Sequence, residues 1–149
     1  FSLTQTYSTF SVSHTDSAST SQGIWSTASS SDSTFNAVQL FRSDNGFAIN
    51  SGLTLTTAGA INYVTNRNYL QTTVVNGSSS SIFVDGATGA TGNAGSSNPS
   101  GVLVIGYFRS SGNNINLDGG IKELIIYDTD QSANRPALET NINNQYDLF

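Results

Sequence analysis

The sequence contains no cysteine and no methionine, and only 10% of its residues are charged. The absence of cysteine excludes disulfides and thiolate chemistry. The absence of methionine means that Phe1 is not a translation start, so we expect a fragment of a longer chain whose N-terminal part is missing. The sequence also lacks an apolar run of about 18 residues and the regions that make up a signal peptide, so it predicts neither a membrane span nor a signal peptide.

Basic residues are scarce as well, and this limits the partners that we expect. Lysine and arginine together number 5, they are scattered, and the formal net charge is −5. A protein that follows a phosphate backbone needs a basic stripe, so we expect neither nucleic acid nor an anionic membrane as a partner. Ser, Thr, Asn and Gly replace the charged residues, as is common in extracellular and virion β-proteins. The length of 149 residues predicts one domain over residues 1–149.

Short segments of alternating or continuous apolar residues predict about ten strands, separated by turn signals every 8–12 residues. The predicted strands are residues 7–14, 23–27, 35–42, 47–49, 53–57, 60–65, 69–75, 81–86, 102–108 and 119–128. Asn45-Gly46 and Asn76-Gly77 predict hairpin turns of type I′. Residues 86–101 predict a long surface loop and residues 110–116 a polar loop, because small and polar residues dominate both.

The strand at Gly119–Asp128 is the element around which we expect the chain to be organised. It contains an unbroken bulky apolar run, Leu124 to Tyr127, that favours a strand with both faces buried, or with one face buried and the other half covered. Ser132–Tyr146 follows as a predicted helix with an apolar stripe at intervals of four, and either Ser132 or Asn134 can cap it. Strands dominate and do not alternate with helices, so we expect an all-β antiparallel sandwich whose single C-terminal helix seals an edge.

Four segments resemble the laminin-G/concanavalin A-like jelly-roll family, in the order that the family has them. They are the hairpin Val74–Gly86, the strand Leu103–Gly106, the strand Asp118–Asp128 and the helical segment Ser132–Tyr146. Phe10–Trp25 also resembles an early strand of the family. The resemblance implies a concanavalin A-like, laminin-G-like antiparallel β-sandwich or jelly roll in which one of the two sheets is concave and loops gather at one rim.

The version of this family that ends in a helix resembles lectin-like modules of phage and bacterial surface proteins. The resemblance implies a non-catalytic structural or adhesion module of a virion or cell surface, such as a capsid decoration, fibre or tail-type domain. Its partners would be other virion or surface subunits, with a homo-oligomer left open, and host or environmental carbohydrate. The alternative is a carbohydrate-binding module of a secreted glycoside hydrolase. The family also includes purely structural modules, so the fold alone does not give the function.

The residues that could support catalysis do not form a recognisable set. Glycoside hydrolysis uses two carboxylates about 5–10 Å apart, and the related glucanases place theirs on one strand as Glu-x-Asp-x-x-Glu. The only glutamates are Glu123 and Glu139, far apart in sequence. His14 with Asp16 lacks the Gly-x-Ser-x-Gly elbow of a serine hydrolase, and we interpret His14 as a surface strand residue. We therefore expect no enzyme and no catalytic residue.

Two kinds of ligand remain to be considered, calcium and sugar. Asp85, Asp118, Asp128 and Asp130 could supply oxygen ligands, but their spacing is not that of an EF-hand. Laminin-G relatives sometimes bind calcium at loop rims, so calcium stays open, and we expect no other cofactor and assign no metal ligand. A sugar needs an exposed aromatic ring beside amide groups, and the alternative for each ring is core packing. The candidate sugar-binding residues are Trp25, Tyr107, Phe108, Asn113, Asn114 and Asn116.

Overall fold

The computed structural model describes residues 1–28, 35–110 and 112–149. In these residues it contains twelve strands, one 3₁₀ turn at Gly77–Ser79 and one α-helix. The strands are β1 Tyr7–Thr15, β2 Gln22–Ala28, β3 Phe35–Phe41, β4 Phe47–Asn50, β5 Thr54–Thr56, β6 Tyr69–Val75, β7 Ser80–Val84, β8 Ala87–Gly92, β9 Val102–Ile105, β10 Tyr107–Ser110, β11 Asn113–Asn116 and β12 Gly119–Tyr127, and the helix is α1 Arg135–Tyr146.

The strands form two antiparallel sheets of five strands each and a separate hairpin. The first sheet has the order β12-β1-β6-β7-β8 and the second β5-β4-β3-β2-β9, while β10 and β11 pair only with each other. The main apolar cluster lies between the two sheets and includes Tyr7, Trp25 and Phe47. The predicted all-β antiparallel sandwich with a single C-terminal helix is therefore confirmed for the part of the chain that the structure describes.

Strand β1 shows which of its two faces points into the sandwich. Phe10 and Val12 lie on one face, as the alternation predicts, and they belong to a cluster that also contains Ile142 of α1. Thr9 and Ser11 lie on the other face and are fully buried between the sheets, where Thr9 contacts Gln39 of the opposite sheet. The interior of the sandwich is therefore partly polar, and the apolar face of β1 is covered by the helix.

Helix α1 packs on a face of the first sheet. Ile142 contacts the cluster formed by Phe10, Val12 and Leu70, which lie on β1 and β6. The prediction that the helix seals an edge is therefore wrong: the helix covers the outer face of β1 and β6, whose apolar residues Phe10, Val12 and Leu70 are buried there. The N-cap is Asn134, with Pro136 in the first turn. Pro136 lacks an N–H at a position where no intrahelical acceptor exists, so it does little harm.

The strand predicted at Gly119–Asp128 is confirmed as β12, which ends one residue earlier, at Tyr127. It is an edge strand that pairs with β1 only, and a β-bulge interrupts this pairing. Ile121, Leu124 and Ile126 pack on the cluster between the sheets, whereas Ile125 and Tyr127 pack on the helix side. Both faces are thus partly covered, but the predicted buried face is wrong, since every one of these residues stays half-buried because the strand has a neighbour on one side only.

Other predicted segments differ from the structure. Residues 60–65 form no strand, and only Asn62 makes an isolated bridge, to Gly46. The predicted loops contain the strands β8 and β11, which pair through their backbones and need no bulky side chains. The predicted buried strand 102–108 is two strands, and Val102 and Ile105 are 43% and 57% exposed.

The two Asn-Gly pairs do not form the predicted type I′ turns. A type I′ turn needs positive φ at both central residues. Asn45 has φ 64° but Gly46 is not left-handed, and Asn76 has φ −145° before the 3₁₀ turn. The β3–β4 hairpin is nevertheless formed, with Arg42 accepting from the Asn45 amide at 3.1 Å.

Glu139 is the one buried carboxylate of the helix. Its side chain is almost fully buried, and Oε2 accepts a hydrogen bond from Nη1 of Arg135 at 2.5 Å. Arg135 in turn lies 3.9 Å above the ring of Phe83. Burial raises the pKa of Glu139, although the Thr72 hydroxyl and Arg135 act in the opposite direction. The free-energy cost of burying the charged carboxylate therefore exceeds the stabilisation that it gains from these partners.

We expect this carboxylate to make the protein less stable as the pH rises above the ordinary pKa of glutamate. Between that pKa and the raised one the folded chain binds more protons than the unfolded chain, so the free energy of unfolding falls with rising pH. The measurement is urea unfolding of wild type and Glu139→Gln at a series of pH values. The other titrating groups are shared, so the stability of wild type relative to the variant should decline across this window. An increase with pH would contradict the prediction.

Candidate functional site

The hairpin β10–β11 is placed over the outer face of the second sheet by one glycine. Gly106 has φ 75°, a left-handed value that favours glycine, and it turns the chain away from β9. The Gly106 amide donates to the Ile24 carbonyl at 2.8 Å, and the Ser26 hydroxyl donates to the Tyr107 carbonyl at 2.9 Å. These two bonds to β2 fix the start of the hairpin on the sheet.

Phe108 anchors the hairpin to this sheet. Its ring belongs to a buried cluster with Val38, Leu40 and Ala48 and is only 4% exposed. It meets Phe35 edge to face, with the ring centroids 5.5 Å apart. Gly23 lies directly beneath, and a Cβ on it would be 2.6 Å from Cδ1 of Phe108. Only a residue without a side chain fits there.

The outer side of the hairpin carries three of the predicted sugar-binding residues. Tyr107 faces Asn116 across the two strands, and its hydroxyl donates to Oδ1 of Asn114 at 2.8 Å. Tyr107 is half-buried, while Asn114 and Asn116 are exposed. We call Tyr107, Asn114 and Asn116 the hairpin site. Asn113 lies at the tip of the hairpin, opposite Ser110, on the side of the strand that carries Ile115.

The structure corrects two of the predicted sugar-binding residues. Trp25 is fully buried between the sheets, and its Nε1 donates to Oε1 of Gln39 at 2.5 Å. Phe108 is buried beneath the hairpin. Neither ring presents a face to a ligand, so for both residues the alternative of core packing holds. Aromatic residues within strands are usually buried, and the sequence alone did not separate these two from Tyr107.

A groove runs along the outer face of the second sheet beside the hairpin, with a volume of about 230 Å³. We call it the sheet groove; its lining includes Phe35, Leu40, Arg42, Asn50, Thr54 and Ser110. Asn50 donates to Thr54 Oγ1 at 2.8 Å. Arg42 donates through Nε to Asp44 at 3.0 Å, and this bond holds the pKa of Asp44 below its usual value. The charge of Arg42 is thereby balanced, which suits a neutral ligand rich in hydroxyl groups.

A larger groove of about 510 Å³ lies between β12 and α1. We call it the helix groove, and its lining is Phe10, Glu123, Ile125, Tyr127, Leu138, Asn141, Ile142, Asn144, Gln145 and Tyr146. Its floor is apolar and its rim carries carboxamide groups. The sequence did not predict this groove. The available signal was the amide side chains that flank the apolar stripe of the helix.

Most of the candidate catalytic and metal-binding residues contact other side chains. Nε2 of His14 lies 3.5 Å from Oδ1 of Asp16, while its Nδ1 lies 3.1 Å from Oδ1 of Asn68. Asp85 binds Arg67 at 2.7 Å. Asp130 accepts from the amide of Ser132 at 2.8 Å. Among the residues that the structure describes, no group of three or more His, Cys, Asp or Glu could hold a metal ion. Within the same residues no helix is long and apolar enough to span a bilayer.

Comparison with known proteins identifies the fold. No family model and no curated protein matches the sequence. The CBM40 domain of the Ruminococcus gnavus IT-sialidase, bound to α2,6-sialyllactose, superposes with a TM-score of 0.68 at 14% identity, over 93% of this chain and 84% of that one. A SAP-like pentraxin from Limulus polyphemus gives 0.66 at 15% identity, over 90% of this chain and 70% of that one. The chain shares their jelly-roll, concanavalin A-like sandwich.

The Trypanosoma rangeli sialidase in complex with sialic acid also matches, with a TM-score of 0.63 at 11% identity. The match covers 92% of this chain, but the chain spans only 23% of the length of that sialidase. Identities this low show the fold alone. The predicted concanavalin A-like fold class is confirmed, whereas these structures provide no link to a phage or a virion.

Proposed function

We propose that this chain is a non-catalytic carbohydrate-binding module, and that the glycan lies on the hairpin site and the adjoining sheet groove. The observation that carries the proposal is the hairpin itself. It brings the half-exposed ring of Tyr107 together with the amides of Asn114 and Asn116 on one exposed surface. A ring that supports a sugar face and amides that bind its hydroxyl groups are the groups that a sugar site requires.

The chemistry of the sheet groove favours a neutral sugar over an anionic one. Arg42 is paired with Asp44 through two close contacts, so its charge is already balanced. The amide of Asn50 and the hydroxyl of Thr54 add further donors and acceptors at the wall of the groove. The likeness of the fold to a module bound to sialyllactose supports a glycan ligand. A pentraxin, a different kind of protein, has the same fold, so the fold alone does not identify the ligand. The proposal therefore depends on the residues of this surface.

Two biological settings fit a glycan-binding module of this kind. In the first, the chain is an adhesion or structural domain of a virion or cell surface, as a capsid decoration, fibre or tail-type protein, and contacts other subunits. In the second, it is attached to a secreted glycoside hydrolase and brings the enzyme to its substrate. The second setting agrees with the sialidase domain of the same fold. Sequencing the gene on both sides of these residues separates the two, because only the second requires a catalytic domain.

The binding test uses a glycan array followed by calorimetry with the best glycan. We expect Tyr107→Ala, Asn114→Ala and Asn50→Ala each to weaken binding about tenfold or more, equivalent to about 1.4 kcal/mol. Asn144→Ala is the matched control, because this exposed amide lies in the helix groove on the other side of the molecule. Its affinity should equal that of wild type.

The outcomes separate the alternatives. Loss of binding in Asn144→Ala with normal binding in Tyr107→Ala would place the ligand in the helix groove and overturn the proposed site. No binding to any glycan of the array would overturn the proposed function. Release of sugars from a bound oligosaccharide, abolished by Glu123→Gln, would contradict the non-catalytic assignment.

A further inference from the structure

The outer edge of β12 has no strand beside it among the described residues. The strand is nine residues long, Gly119–Tyr127, and is paired with β1 along its other edge only. Its residues are half-buried or exposed, whereas the neighbouring β1 is almost entirely buried. An unpaired edge offers a row of backbone N–H and C=O groups to another strand.

The second sheet ends at the same flank of the sandwich. Its edge strand there is β9, and its exposed apolar residues Val102 and Ile105 lie at this border. The opposite flank is closed, because Leu55 next to β8 lies against Gly92 and Thr57 against Gly89. Both layers of the sandwich therefore end in an apolar edge on one side of the molecule only.

The bulge in β12 gives this edge a particular arrangement of charge. Val12 pairs with Glu123 and Ser13 pairs with Ile121, so Lys122 is the extra residue. Nζ of Lys122 lies 5.9 Å from the ring of Tyr146, and Glu123 lines the helix groove. Lys122 and Glu123 thus lie on the helix side although they are neighbours, which a regular strand does not allow.

We propose that two copies of this chain associate through antiparallel pairing of their β12 edges about a two-fold axis. With the axis between Lys122 and Glu123, each lysine opposes the glutamate of the second copy, so the contact contains two opposite-charge pairs. In the same register Ile121 opposes Leu124 of the second copy, and both face the interior. The bulge makes this register consistent, since directly opposed residues must share a face.

Charge favours a second copy as the occupant of this edge. The chain carries a net charge of −5, but the edge itself carries one lysine and one glutamate and is neutral. The helix packs on Phe10, Val12 and Leu70, and it reaches β12 through Ile125, Tyr127 and the Tyr146 hydroxyl, which donates to the Lys122 carbonyl at 3.4 Å. With an axis perpendicular to the sheets, the two helices would lie on the same face, one on each side of the junction.

The pairing has a consequence that rests on the proposed function. A two-fold axis perpendicular to the sheets keeps the outer face of the second sheet on the same side in both copies. The dimer therefore presents two hairpin sites in one direction, and a glycan-coated surface can engage both at once. Two linked sites bind a surface more tightly than one, without any new contact.

The first test is the mass of the chain in solution, measured by light scattering and sedimentation equilibrium. We expect a dimer of the 15.7 kDa chain. Lys122→Glu and Glu123→Lys should each raise the dissociation constant about tenfold or more, because each creates two like-charge pairs. An equimolar mixture of these two variants should form a heterodimer, since every charge of one then opposes the opposite charge of the other.

A wild-type chain that stays monomeric up to about 1 mM would overturn the proposal. So would a dimer that neither substitution weakens, or a mixture of the two variants that fails to associate. Circular dichroism checks that both variants are folded. Failure of the proposed function gives a different result: the chain still has the mass of a dimer in solution, but it binds no glycan. If both hold, Lys122→Glu keeps the wild-type affinity for soluble glycan but is retained more weakly on an immobilised one.

Discussion

Replacing Gln39 with leucine is expected to lower the free energy of unfolding by about 4 kcal/mol. Gln39 lies on β3, fully buried between the two sheets. Its Oε1 accepts from Trp25 Nε1 at 2.5 Å and from Thr9 Oγ1 at 3.1 Å. Its Nε2 donates to Ser11 Oγ at 3.1 Å and to the Gln71 carbonyl at 3.4 Å. A single carboxamide thus joins four strands across the sandwich.

The size of the expected loss follows from what leucine leaves behind. Leucine is close to glutamine in volume, so the main effect is the loss of hydrogen bonds rather than a cavity. Thr9 can still bond Thr73, 2.6 Å away, and Ser11 lies 3.5 Å from the Gln71 carbonyl. The indole N–H of Trp25 keeps no partner. The orphaned indole N–H costs about 1–3 kcal/mol, and the lost bonds to Thr9 and Ser11 add about 0.5–1.5 kcal/mol each, which together give the stated loss.

Urea unfolding followed by the fluorescence of Trp25 measures the effect, since the chain has 1 tryptophan. The matched control is Gln145→Leu, at an exposed glutamine of the helix. Its stability should stay within about 0.5 kcal/mol of wild type. If Gln39→Leu lost less than about 1 kcal/mol, the polar contacts between the sheets would not stabilise the sandwich as we infer.

The sequence predicted which residues share a face of a strand, but it did not predict what each face packs against. Alternation places Phe10 and Val12 on one face of β1 and Ser11 on the other, and this is confirmed. It does not tell which face points into the sandwich. The sequence alone suggests that Thr9 and Ser11 are surface residues. They are buried because they contact Gln39, which is distant in sequence. Burial of polar residues depends on partners that only the tertiary structure brings together.

The candidate site was predicted in part for the same reason. Tyr107, Asn114 and Asn116 lie near one another in sequence, and the prediction grouped them. The turn at Gly106 was missed because the apolar run on both sides of it reads as one strand. Strand β11 was missed because asparagine disfavours strands, and here pairing with β10 outweighs that preference. The helix groove was missed because it lies between β12 and α1, and periodicity predicts each element separately without showing that they are adjacent.

Gly23→Ala is expected to lower the free energy of unfolding by about 2 kcal/mol and to displace the hairpin. The new Cβ would lie 2.6 Å from Cδ1 of Phe108 and 3.0 Å from the carbonyl carbon of Tyr107. Both atoms belong to β10, so the ring and the backbone of the hairpin must move away from the sheet. If the proposed site is correct, glycan affinity should fall as well, because Tyr107 moves with that backbone.

A double-mutant cycle with Phe108→Ala tests this cause directly. Phe108→Ala alone should lose about 3 kcal/mol by leaving a cavity over the second sheet. The double variant should lose about 1 kcal/mol less than the sum, since the Cβ at position 23 then meets no ring. Losses that add within about 0.3 kcal/mol would mean that Gly23 and Phe108 act independently, and the close approach of hairpin and sheet would then not explain the glycine. Non-additive losses would show that the hairpin can lie this close to the sheet because Gly23 of β2 has no side chain.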